Sequence, residues 1–113
     1  MENRQLIARN IKQMREKSCY TQENVSDFLG VRRSAYANYE AGDREIPLRL
    51  MERLADLYGC ELLDLYTEDE SVLASMLVTA FRVDSVSASD MEQIAAFKRI
   101  VKNSLKMDTL LAQ

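Results

Sequence analysis

The sequence predicts an all-α fold, and three observations carry that expectation. Only three glycines and one proline interrupt 113 residues. Gly30, Gly42, Pro47 and Gly59 fall between segments whose apolar residues recur at helical spacing. Residues suited to helix starts, Thr21 and Pro47, stand at the boundaries this punctuation implies.

The elements follow in order. Residues 5–17 place Leu6, Ile7, Ile11 and Met14 on one helical stripe, with Arg9, Lys12, Arg15 and Lys17 around it. Residues 18–20 read as a non-helical joint, after which the Thr21 hydroxyl caps a helix running to residue 29. Gly30 stands where the chain leaves that helix in a left-handed conformation. With Val31 in the turn, a third helix is expected from about residue 32 to 41, stopped by Gly42. Pro47 opens a fourth helix at its first position, where a missing N–H costs least. Its apolar residues are Leu50, Met51, Leu54, Ala55, Leu57 and Tyr58, and Gly59 ends it. Leu62, Leu63, Leu65 and Tyr66 make a short fifth helix that closes the core.

Residues 67–71, TEDES, form a polar acidic linker, dividing a first domain (1–66) from a C-terminal region (72–113). Within that region, LVTAFRV at 77–83 fits either a helical stripe or a short strand. A long helix is clearer from 89 to about 111, with Ser87 and Asp90 as a capping-box-like start. Ile94, Phe97, Val101 and Leu105 share one stripe of it, with Ile100 alongside.

Composition removes several functions. The chain has no His, so neither a Ser-His-Asp nor a Cys-His pair can be built, and the usual zinc sites lack a ligand. Two cysteines, Cys19 and Cys60, are too few for a disulfide framework and read as buried or half-buried free thiols. No cofactor is expected and the chain is not expected to be an enzyme. No apolar run approaches the roughly 20 residues that span a bilayer, and the N-terminal MENRQLIARN lacks the apolar centre of a signal peptide. A cytoplasmic protein without membrane contact is the expectation.

The stretch from Thr21 to Gly42 is the most informative. At about 100° per residue, Ser34, Ala37, Asn38 and Ala41 gather on one side of the third helix, beside Arg33. Ala35, Tyr36 and Tyr39 gather on the other. Small residues with a few polar heads suit a helix in the major groove, where Arg pairs with guanine and Asn with adenine. From the pattern alone, a merely solvated helix face fits equally well.

TQENVSDFLGVRRSAYANYEAGDREIP resembles the lambda-repressor-like (Xre/Cro) helix-turn-helix, and the resemblance extends over about residues 5–66. Its matching features include Thr21-Gln22, Ser26, Gly30-Val31, Ser34, Tyr39-Glu40, Gly42, Arg44 and Pro47. The resemblance implies a five-helix DNA-binding domain followed by a C-terminal dimerisation helix. It implies DNA contacts from Gln22 at the start of the second helix, from Arg33, Ser34 and Asn38 at base-reading positions, and from Arg32 at a flanking one. Arg44 would touch the DNA backbone. Arg15 and Glu40 match a family ion pair joining the first helix to the end of the third; two independent surface charges are the alternative. Asn24 stands where the family often has Glu, which predicts a weakened capping box. Tyr36 replaces a usual Ile or Val, so its hydroxyl needs a partner or must reach the rim.

Net charge is -3, which argues against a nucleic-acid partner until it is divided along the chain. Residues 1–44 carry +2, residues 45–66 carry -3 and residues 67–113 carry -2. The basic excess coincides with the expected DNA-facing helices.

The leading expectation is therefore a transcriptional regulator, a repressor on a palindromic operator. A homodimer would pair through Ile94, Phe97, Ile100, Val101 and Leu105. The alternative for the long helix is packing on its own core. The alternative function is a protein-interaction module of antitoxin or anti-repressor type on the same fold. Residues 80–107 are also similar to tails of Xre-type repressors linked to an IrrE-type zinc metallopeptidase. That implies a regulatory metallopeptidase partner, cutting between linker and long helix so that the head separates from the dimer helix.

Overall fold

The computed structural model describes residues 3–69, 71 and 88–111, without the side chains of 104–111, and among them five α-helices and one 3-10 helix are defined. The helices are α1 (Asn3–Lys17), α2 (Gln22–Leu29), α3 (Arg33–Ala41), α4 (Leu48–Tyr58) and α5 (Ala88–Leu111), with the 3-10 helix at Leu62–Tyr66. No strand occurs among the described residues, and the fold is all-α. The helix-or-strand choice at 77–83 and the Ser87 cap lie outside them.

α1 turns Leu6, Ile7, Ile11 and Met14 inward, as its periodicity dictates, and packs on α3 and the 3-10 helix. α4 is the central strut, with Leu50, Leu54 and Leu57 fully enclosed, each worth about 1.5–3 kcal/mol of apolar burial. α5 lies across α4 and α2, sending Met91 and Ala95 into the same core. The long helix therefore packs on its own head through its first turns. That face must be covered because Met91 and Ala95 recur at i and i+4.

The joints refine the sequence reading. α1 ends with Ser18 N–H on the Met14 carbonyl and Tyr20 N–H on the Arg15 carbonyl, a closure that forces Cys19 to φ +62°. Cys19 is consequently exposed, contrary to the expectation of a buried thiol, while Cys60 is buried. The chain needed a left-handed residue here and had no glycine to supply it. The capping box of α2 is complete. Asn24 N–H donates to Thr21 Oγ1 (3.0 Å), and Thr21 N–H donates to Asn24 Oδ1 (2.9 Å). The shorter amide reaches as far as the expected glutamate, so the predicted weakening is absent. Pro47 takes the N-cap, one residue earlier than expected.

The acidic stretch is not free at its start. Asn10 is fully buried, and its Nδ2 donates to the carbonyls of Leu65 and Thr67, both at 2.8 Å. Arg9 Nη2 adds a bond to the Thr67 carbonyl at 3.2 Å. These bonds satisfy backbone groups that would otherwise be left unpaired beside α1.

Candidate nucleic-acid interface

Gly30 joins α2 to α3. Its N–H reaches the Asp27 carbonyl at 3.2 Å and Val31 N–H reaches the Ser26 carbonyl at 3.0 Å, with Gly30 at φ +72°. A side chain would meet no atom there, so the left-handed backbone alone demands glycine. Ser26 is buried and turns its hydroxyl back to the Glu23 carbonyl (3.0 Å), which satisfies it where α2 and α3 meet.

α3 is then buried along its middle and open at its start. Tyr36 and Glu40, one turn apart, are buried. Arg32, Arg33 and Ser34 are exposed at its N-terminal end, and Asn38 is half-buried further along. Arg44 is exposed in the following loop, where its N–H bonds to the Asn38 carbonyl (3.3 Å). Arg44 also lines a cleft with Arg4 and Tyr39. Four of the six residues expected to touch DNA thus stand open to solvent, three at the start of α3 and Arg44 in the loop beyond its end.

Gln22 is engaged differently. Its Nε2 donates to Glu40 Oε1 at 3.2 Å, so the amide belongs to an internal network at the start of α2. Arg15 grips the same carboxylate with two bonds, Nε to Oε2 at 2.7 Å and Nη2 to Oε1 at 3.0 Å. Its Nη1 donates to the Tyr20 carbonyl at 2.9 Å. The two side chains are 12% and 3% exposed. Burial pushes the Glu40 carboxyl up, but the bonds from Arg15 and Gln22 and the guanidinium charge outweigh it, leaving it below the ordinary carboxylate range. The bond to Glu40 likewise holds the Arg15 guanidinium in its charged form. One carboxylate therefore ties α1, the start of α2 and the end of α3 together. The Tyr36 hydroxyl is buried close to Glu40 without a hydrogen bond of good geometry, and burial raises its pKa.

On α5, Phe97, Ile100 and Val101 are 57%, 64% and 40% exposed, a ridge at i, i+3 and i+4. Ile94 is half-buried against the protomer's own core and stands apart from that ridge. The Leu105 side chain is outside the described residues.

Three polar residues gained roles that local pattern did not single out. Asn10 stands inside the apolar stripe of α1, and an amide at such a position is itself a signal. Arg53 donates to the Phe28 carbonyl at 2.8 Å, lies 4.5 Å over the Phe28 ring and pairs with Glu92 of α5. Lys102 donates to the Cys60 carbonyl at 3.0 Å and approaches Asp56 at 3.4 Å. Nothing local announces those partners, which lie 25 to 46 residues away. Among the described residues no group of His, Cys, Asp and Glu could hold a metal ion, and no helix is long and apolar enough to cross a membrane.

Two short helices at a glycine turn, the second with its N-terminal half laid open, define a helix-turn-helix unit. Residues 11–65 match the family described as helix-turn-helix. Relatives include proteins named HTH-type transcriptional regulatory proteins from Saccharolobus islandicus (strain L.S.2.15) and Saccharolobus solfataricus. Both are 40% identical over 53 residues, 47% of this chain and 17% of theirs. The SPbeta prophage-derived HTH-type transcriptional regulator YonR of Bacillus subtilis is 32% identical over 54 residues, 48% of this chain and 50% of its own. The chain thus spans half or less of the length of the curated relatives it matches. No solved structure gives a significant match.

Proposed function

We propose that this chain is a DNA-binding transcriptional regulator, a repressor that reads a palindromic operator as a homodimer. The observation that carries the reading is the layout of α3: Tyr36 and Glu40 are buried, while Arg32, Arg33 and Ser34 stand exposed at its N-terminal end. An arginine free at the start of a helix can meet guanine O6 and N7 bidentately in the major groove, and Ser34 and Asn38 lie on its flank. Arg44 is the backbone contact, and the N-terminal end of α2 beside Gln22 turns the positive end of its helix dipole to phosphate. The helix-turn-helix match over residues 11–65 and the relatives' names support regulation as the purpose of that binding.

One head reads about half a site, so a two-fold pair places two recognition helices about 34 Å apart. The ridge of Phe97, Ile100 and Val101 supports a second copy as its cover, because this apolar row stands largely open to solvent beside the face of α5 that packs on the head. A metallopeptidase partner is a further element of the reading, and it rests on the likeness of residues 80–107 to its repressors. The proposed cut between linker and long helix would act on a helix that Met91 and Ala95 hold on the head. Separation then needs α5 to leave that core as well, and a chain left intact by the cognate peptidase would remove this partner.

Selection of bound sequences from a random DNA pool tests the main reading. A two-fold motif is expected. On it, Arg33→Ala should cost about 1–3 kcal/mol and relax one base pair. Arg44→Ala should weaken every sequence alike and lower the salt slope by about one. Equal losses from Arg33→Ala on operator and random DNA would refute base reading.

A further inference from the structure

α5 meets the head at two anchors on either side of its exposed ridge. At the first, Met91 and Ala95 enter the core and Glu92 pairs with Arg53. Arg53 is itself fixed, since it donates to the Phe28 carbonyl at the C-terminal end of α2 and covers the Phe28 ring. That carbonyl belongs to the last turn of a helix, where acceptors lack intrahelical donors. At the second anchor, the Lys102 ammonium donates to the Cys60 carbonyl just beyond α4 and faces Asp56. Between the anchors the Lys98 stem lies so close to Gly59 that a side chain there would meet its Cδ at 3.2 Å.

Glu92 and Lys102 are ten residues apart, which is about 15 Å of helix. A rod held at both ends of such a span cannot pivot about its middle without pulling Met91 and Ala95 from the core or breaking the part-buried Lys102 bond. Phe97, Ile100 and Val101 lie in that middle, on the side turned away from the head. The first anchor runs through Arg53 into α2, which packs on α3.

We propose that the reading head and the pairing ridge form one rigid body joined along α4. Arg53–Glu92 and Lys102 are then positioning residues that fix the half-site spacing accepted by the dimer, and residues 72–87 do not set it. This rests on the paired-head reading above. A rigid pair brings its second head to one place only, so its effective concentration falls sharply once the second half-site moves.

The test uses the full chain and operators whose two selected half-sites are separated by one base pair more or fewer. Wild type should lose about tenfold or more in affinity for each such change. A flexible Gly-Ser insertion of about ten residues after Ser71 should leave that penalty within about twofold of wild type. The double variant Glu92→Gln with Lys102→Met should reduce it to about threefold while single half-site affinity stays within about twofold. That split separates positioning from plain loss of fold, which would weaken half-site binding too. A penalty abolished by the insertion, or unchanged in the double variant, overturns the proposal. A wild type that selects half-site sequence but ignores spacing refutes the paired-head reading itself, and the proposal with it.

Discussion

Replacing Glu40 by glutamine removes one charge from the most enclosed ion pair and keeps the shape of the side chain. Its worth depends on burial. An exposed pair contributes about 0–1 kcal/mol, whereas breaking a buried pair from one side costs about 3–5 kcal/mol because the remaining charge is stranded. With Glu40 3% exposed and Arg15 12% exposed, the site stands near the buried limit. The glutamine carbonyl would still accept one bond from Arg15, returning about 1 kcal/mol. The expected loss is therefore about 2–4 kcal/mol at pH 7, a fall of about 1–3 M in the urea midpoint.

The pH dependence gives a second reading of the same pair. The folded carboxyl of Glu40 titrates below its unfolded value. Its contribution is then complete above the unfolded carboxyl pKa and is lost as pH falls through the folded one. Urea titrations of wild type and Glu40→Gln should differ fully at pH 7 and converge in acid. A variant within about 0.5 kcal/mol of wild type at neutral pH, or a difference that persists in strong acid, would refute this account of the pair.

Other expectations follow from single contacts. Tyr36→Phe removes a buried hydroxyl without a well-formed bond, so stability should change by less than about 1 kcal/mol; a loss above about 2 would mean the hydroxyl is bonded to Glu40 after all. Burial pushes the Cys60 thiol up to about 12, so a thiol reagent at pH 8 should modify exposed Cys19 in the native protein and Cys60 only on unfolding. Equal rates at both thiols would contradict the burial of Cys60. Phe97→Glu should leave the stability of the dissociated chain nearly unchanged, within about 0.5 kcal/mol, while abolishing dimers in sedimentation; dimers that persist would place the interface elsewhere.

The ends of α2, α3 and α4 were legible because each is marked by a glycine, the residue with the freest backbone. Gly30, Gly42 and Gly59 all adopt left-handed conformations where the chain had to turn. Cys19 was misread because its side chain favours burial while its backbone position demands φ > 0, and here the backbone decided. Asn24 was discounted by residue type, yet capping depends on reach, and a short amide reaches. The exposed end of α3 could be drawn on a helical wheel. The inward turn of Gln22 could not, since its partner Glu40 lies 18 residues on and on another helix. The same holds for Arg53 and Lys102, whose partners exist only once α2, α4 and α5 are packed. Local periodicity gives the face of a helix; it does not give which polar groups meet across helices.

The polar network behind α3 explains how so short an element can aim side chains. α3 has nine residues, below the length at which a helix is stable alone, and it buries only Tyr36 and Glu40. Those two residues are one turn apart, so they define a line on the helix but give it little apolar area. Hydrophobic contact is non-directional, and a single ring would leave the helix free to roll about its axis. The carboxylate at the other end of the line removes that freedom, because two parallel bonds from Arg15 accept only one orientation of Glu40. Replacing the pair by apolar residues of similar volume could match its stability and would still lose that direction. The ion pair is best understood as the element that sets the roll of α3, and with it the direction in which Arg33 and Ser34 point.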